Sequence, residues 1–110
     1  MIVWIHYARP RSPWYGLDEA EQRRLRTSWA AVDAASTADG GEPQGRFQVR
    51  GQSDWSTVEL WRFPTYDAAY AHWSAKIAAG YAQWFAFANN IGAALPDETL
   101  PEETLPAESR

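Results

Sequence analysis

Apolar and polar positions in this chain alternate in two distinct rhythms. From Ile2 to Tyr7 the extended pattern puts Ile2, Trp4 and His6 on one side and Val3, Ile5 and Tyr7 on the other, which predicts a first strand covered on both faces. The prolines of Arg9-Pro10-Arg11-Ser12-Pro13 remove ladder donors, so residues 9–16 read as an ordered loop with Trp14 and Tyr15 packing down. Leu25, Trp29 and Val32 then recur at helical spacing behind Asp18 and Glu21, a capping-box pair, and predict a helix to about Ala35 that stops before Asp39-Gly40-Gly41. Phe47 and Val49 alternate with Arg46, Gln48 and Arg50 in a second strand. A turn over Gly51 to Asp54 leads into a third, Trp55 to Phe63, with Val58 and Leu60 on one face and Thr57, Glu59 and Trp61 on the other.

Pro64-Thr65 opens a second long helix, with Thr65 as its cap and Tyr66, Tyr70, Trp73 and Ile77 as its apolar stripe. Gly80 ends or kinks it. Tyr81 to Ala88 reads as a short aromatic helix ending at Asn89 to Gly92, and Asn90 to Leu95 is compatible with a fourth strand. Residues 1–94 therefore form one domain. Residues 95–110 repeat a Leu-Pro pentapeptide starting at Leu95, Leu100 and Leu105, and proline at that spacing excludes a helix or a central strand. This segment is either a solvated acidic tail or an extended arm whose leucines dock on a neighbouring subunit.

The order strand, helix, hairpin, helix, with or without a last strand, predicts an α+β ferredoxin-like sandwich. If Phe47, Val49, Val58 and Leu60 face the helices, the opposite face carries Gln48, Arg50, Thr57, Glu59 and Trp61 with residues of the first strand. Such a mixed face calls for cover, which back-to-back pairing of two sheets in a homodimer would supply.

Composition sharpens this picture. Seven Trp, five Tyr and four Phe in 110 residues are more flat side chains than the core of so small a domain needs, and point to a ligand pocket or a subunit interface. The net charge of −4 is set by the segment from residue 95 onward, which holds five acids and one base. The neutral remainder has no dense basic patch, which argues against nucleic acid as a partner. There is no cysteine, so disulfides and thiolate metal sites are excluded. The apolar opening lacks a basic leader and a small-residue cleavage site, and no apolar run reaches membrane-spanning length, so a soluble cytoplasmic protein without a membrane partner is expected.

The stretch Leu60-Trp61-Arg62-Phe63-Pro64-Thr65, the helix ending at Gly80-Tyr81, Trp84-Phe85 and Asn89 to Gly92 resemble small bacterial proteins of the dimeric α+β barrel superfamily. The resemblance covers about residues 2 to 94 and implies kinship with antibiotic-biosynthesis monooxygenases, polyketide cyclases, muconolactone isomerases, haem-degrading monooxygenases and chlorite dismutases. It implies a homodimer that binds a small aromatic or polyketide-like metabolite, either as a cofactor-independent monooxygenase, cyclase or isomerase or as a non-catalytic ligand-binding or accessory protein. In haem-degrading members a proximal histidine follows a helical tryptophan. If Trp73 matches that tryptophan, the expected position falls near Gln83, which disfavours haem, so no cofactor is expected.

Two histidines, His6 and His72, are too few for a His-rich metal site. His6 in the first strand is placed to reach Glu59 in the third, and the carboxylate would orient and activate the imidazole for acid–base work. The bland alternative is a satisfied strand histidine at a dimer seam. Glu59, an acid in the middle of a strand, needs a partner, and Arg50 or Arg62 would give a structural salt bridge. The candidate catalytic set is thus His6 and Glu59, with Arg50 as anion or oxyanion partner. Trp4, Trp61, Trp73, Trp84 and Asn89 are the candidate pocket residues, against the readings of helix core for Trp73 and helix cap for Asn89. His72 is expected to reach solvent.

Overall fold

A computed structural model describes residues 1–95, and all but the first residue of the Leu-Pro repeats lies outside the described residues. The elements are β1 (Ile2–Pro10), α1 (Ser12–Tyr15), α2 (Glu19–Ala38), β2 (Glu42–Gln48), β3 (Thr57–Phe63), α3 (Tyr66–Ala78), α4 (Tyr81–Trp84) and β4 (Phe85–Ala93). The strands form one antiparallel sheet in the order β2-β3-β1-β4, with the long helices α2 and α3 across one face, which is the ferredoxin-like α+β arrangement. β1 is a central strand, paired to β3 on one side and β4 on the other, which explains its unbroken apolar run. Asp18 caps α2 by accepting a hydrogen bond from the Glu21 N–H at 2.8 Å, and Thr65 caps α3 by accepting from the Ala68 N–H at 3.1 Å.

The register settles which face meets the helices. Trp4 lies opposite Trp61, His6 opposite Glu59 and Asn89, and Ala8 opposite Phe87, all on the helix side. Ile2, Trp4, Trp61 and Phe63 are buried there with Ala69 of α3, and the rings of Trp61 and Phe63 stack at 5.4 Å. This inverts the expected assignment for the hairpin. Val58 and Leu60 point away from the helices together with Val3, Ile5 and Tyr7, because the large rings of Trp61 and Phe63 bury more apolar surface than two aliphatic side chains do. Phe47, opposite Val58, is half exposed on the same outer face.

Four more expectations are corrected. β2 starts at Glu42, and a bulge between Pro43 and Gly45 admits the proline to an edge strand. The strand part of residues 9–16 is longer than expected: β1 runs to Pro10, opposite Phe85, and of the two aromatics in α1 only Trp14 is buried. In α3 the buried residues are Ala69, His72 and Lys76, with Trp73 of the expected stripe half-buried beside them, while Tyr66, Tyr70 and Ile77 face outward. Small Ala69 lets the helix sit close to the sheet, and α2 supplies the Ser36 hydroxyl to His72 Nδ1 and the Asp33 carboxylate to Lys76. Residues 85–88 are strand, because Phe85, Phe87 and Asn89 alternate with Ala86, Ala88 and Asn90 at period two; only Tyr81–Trp84 is helical.

Candidate active site

Three structural choices bring Tyr81 over the middle of the sheet. Gly80 adopts φ +82°, a left-handed conformation that ends α3 and turns the chain sharply into α4. Arg11 fastens the far end of that turn: its guanidinium donates to the carbonyls of Ala82 and Gln83 at 3.2 and 2.9 Å, and its backbone N–H donates to Trp84 O at 2.8 Å. From α2, the Trp29 indole N–H donates to Ala79 O at 3.1 Å, and its ring meets Tyr81 edge to face at 5.1 Å.

His6, buried in the centre of β1, is held from both sides. Its Nδ1 lies 2.6 Å from Asn89 Oδ1 and its Nε2 lies 2.8 Å from the Tyr81 hydroxyl. The amide oxygen of Asn89 only accepts, so Nδ1 carries the proton and the Nε2 lone pair accepts from the Tyr81 O–H. Trp4 stacks on the imidazole at 4.9 Å, with Trp73 at 5.3 Å. Burial lowers the His6 pKa below 6.5, against the opposing pull of Asn89 and of the Glu59 charge, and burial raises that of Tyr81. The resting site is therefore a neutral imidazole hydrogen-bonded to a neutral phenol at pH 7.

Glu59 does not bond to His6, although the two residues are register partners. Its carboxylate accepts from the Trp61 indole N–H at 2.7 Å and lies 3.5 Å from Arg46. Burial would raise the Glu59 pKa, but the Trp61 hydrogen bond and the Arg46 charge outweigh it and hold the value below 4.5. The expected His6–Glu59 pair is thus replaced by a charge felt across the strand.

These groups line a cavity of about 340 Å³ between α2, the sheet and α4, where Trp29 and Phe85, packed edge to face at 5.6 Å, form one aromatic wall. Arg26, Arg46 and Lys76 contribute positive charge to the lining, and Asp33 and Glu59 negative.

Among the residues singled out from sequence, His6 and Glu59 line this cavity, and Asn89 supports it by bonding to His6. Trp4 and Trp73 pack around His6, Trp61 holds Glu59, and Trp84 packs against Trp14, so none of these four lines the cavity itself. Arg50 lies outside the lining, in the exposed chain after β2, and Arg46 on β2 is the cation beside Glu59. His72, expected at the surface, is 1% exposed, with Nδ1 2.6 Å from the Ser36 hydroxyl and its ring 4.6 Å from that of Trp61. Tyr81, Trp29 and Lys76 were missed. The signal for Tyr81 was Gly80 beside it, which ends one helix and re-aims the next residue.

Haem does not fit these residues. Both imidazole nitrogens of His6 are taken, His72 lies outside the cavity lining, and Gln83 is exposed on α4. Among the described residues no three His, Asp or Glu side chains gather as a metal site would require.

No known family profile and no curated protein matches the sequence. Solved structures do match in fold. A chlorite dismutase-like protein superposes with a TM-score of 0.64 at 15% identity over 77% of this chain, which spans 38% of that protein's length. An antibiotic biosynthesis monooxygenase-like protein from Nitrosomonas europaea gives 0.54 at 17% identity, covering 87% of this chain and 100% of its own. HapK from Hahella chejuensis gives 0.51 at 16% identity, covering 88% and 95%. These likenesses show the fold, a ferredoxin-like α+β sandwich.

Proposed function

We propose that this protein binds a flat, mostly apolar metabolite against Trp29 and Phe85 and moves a proton on it, as a cofactor-independent monooxygenase, cyclase or isomerase does. The observation that carries this reading is the Asn89–His6–Tyr81 chain of hydrogen bonds ending in the cavity. An acidic C–H or O–H of the substrate gives its proton to the Tyr81 oxygen as the Tyr81 proton passes to His6 Nε2. The products are a substrate anion, an unchanged phenol and an imidazolium. Asn89 Oδ1 and the nearby Glu59 charge stabilise that imidazolium. Because burial makes His6 a weaker base than free imidazole, the route suits acidified positions such as those of enolisable aryl ketones and polycyclic phenols. The fold alone does not choose the chemistry.

Homodimer formation belongs to the same proposal. Val3, Ile5, Tyr7, Val58, Leu60 and Phe47 share the sheet face turned away from the helices, an apolar surface that a second sheet would cover. A soluble cytoplasmic setting fits, and no described helix is long and apolar enough to cross a membrane.

The test is deuterium exchange at the acidic methylene of 2-tetralone in D2O, followed by NMR. The protein should accelerate exchange, Tyr81→Phe and His6→Gln should abolish the acceleration, and the rate should fall only at a pH well below 6.5, as the buried imidazole with its lowered pKa takes up a proton. If the folded protein binds the ketone and gives no acceleration, the cavity is that of a non-catalytic ligand-binding protein.

A further inference from the structure

Lys76 is an ammonium where none is expected, 4% exposed on the sheet-facing side of α3. Its Nζ forms an ion pair with Asp33 Oδ1 at 3.0 Å and lies 5.6 Å from the centre of the Tyr81 ring. An ammonium has three N–H donors. Asp33 can take at most one, and no other ion pair or hydrogen bond engages Nζ among the described residues. Nζ is not among the fully buried polar atoms left without a partner, so its remaining donors open onto the cavity that the side chain lines. A ligand oxygen seated there would take those donors in a charge-assisted contact.

Charge points the same way. The lining sets three cations, Arg26, Arg46 and Lys76, against two carboxylates, Asp33 and Glu59. Glu59 is committed to the Trp61 indole and Arg46, and Arg26 makes no ion pair among the described residues but lies over the Trp14 ring at 5.2 Å. An anion entering between α2 and the sheet therefore meets a net positive wall.

We propose that the ligand is a planar aromatic anion whose carboxylate or enolate oxygen docks on Lys76 Nζ, with its rings against the wall that Trp29 and Phe85 form together. This rests on the proton-transfer reading of the cavity and adds a substrate class to it. The oxygen on Lys76 becomes the place where negative charge is held while Tyr81 takes the proton nearby. Lys76 is then an oxyanion-binding residue, a role that Arg50 was expected to fill.

The experiment is isothermal titration at fixed ionic strength with two probes of one shape, 2-naphthoate and naphthalene-2-methanol. The carboxylate should bind about tenfold tighter or more, the advantage of a charge-assisted contact over a neutral one. Lys76→Met should erase that preference. Because it leaves Asp33 unpaired, the Lys76→Met/Asp33→Asn double variant provides a second reading on a folded protein. Equal binding of the two probes to the wild type, a preference that survives in the double variant, or no binding of either probe would overturn the proposal. Tyr81→Phe separates the two ideas: it should keep the carboxylate preference and lose ketone exchange. Loss of exchange in the wild type with the preference intact would refute the proton relay alone.

Discussion

Acid should loosen this fold through one buried ring, that of His72. The imidazole lies under α3 against Trp61, Trp4 and Phe63, and its Nδ1 is met by the Ser36 hydroxyl. With Ser36 donating to Nδ1, the ring proton sits on Nε2, which faces Asp33 Oδ1 at 3.9 Å without a hydrogen bond. Burial, reinforced by the Lys76 charge, lowers the His72 pKa from 6.5 to about 4. The unfolded chain therefore binds a proton near pH 6.5 that the folded chain refuses until about pH 4. Stability from this group is complete above 6.5 and is lost as pH falls toward 4. At about 1.4 kcal/mol per pH unit the loss amounts to roughly 3 kcal/mol, a large part of the ~5–15 kcal/mol that holds a typical domain together. His6, also lowered, acts in the same direction. Asp33 acts oppositely, since burial raises its carboxyl pKa above 3.8 and acid relieves it. Urea unfolding followed by tryptophan fluorescence between pH 4.5 and 8 measures the balance, in the wild type, in His72→Gln and in Asp33→Asn. His72→Gln should be less stable than wild type at pH 8, by about 1–3 kcal/mol for the lost packing, and the two curves should converge on acidification. Parallel curves would refute the assignment, and Asp33→Asn should steepen the acid loss.

Glu59→Gln should cost about 1 kcal/mol at pH 7, since its amide oxygen keeps the Trp61 contact but not the charge assistance. Glu59 has a depressed pKa, so that difference is present above pH 4.5 and fades in urea titrations as pH falls below it. Leu60→Asp, on the outer sheet face away from the helices, should leave circular dichroism unchanged and give a monomer in native mass spectrometry. A persistent dimer would show that this face is not the interface.

The α+β class, the long helices and the hairpin were legible because each rests on local periodicity and capping, as with Asp18 and Thr65. What failed was the choice between two faces that local sequence leaves nearly equal. Val58 and Leu60 look like core, and only the opposing Trp4, Trp61 and Phe63 decide against them. The same held for α3, where a tyrosine stripe competed with Ala69, His72 and Lys76, and lost because Ser36 and Asp33 on α2 could receive the polar groups. At the site, the strand adjacency of His6 and Glu59 was readable, but the imidazole's actual partners arrive from Asn89 and Tyr81, more than 70 residues away, through a strand whose start had been taken for helix.

The central place of β1 has a consequence for how the molecule is born. Ile2 must pair with Phe63 on one side and Ala93 on the other, so β1 is synthesised before both of its neighbours and is among the last elements to find them all. Such long-range pairing slows folding relative to a helical bundle of the same size. Until β4 has been synthesised, the Trp4 strand keeps an open edge, and nascent chains at this stage need protection from one another. His6 receives Asn89 only in that final pairing, so a partly made chain carries the imidazole without the partner that holds its Nδ1, and the cluster around it closes only when the sheet is completed.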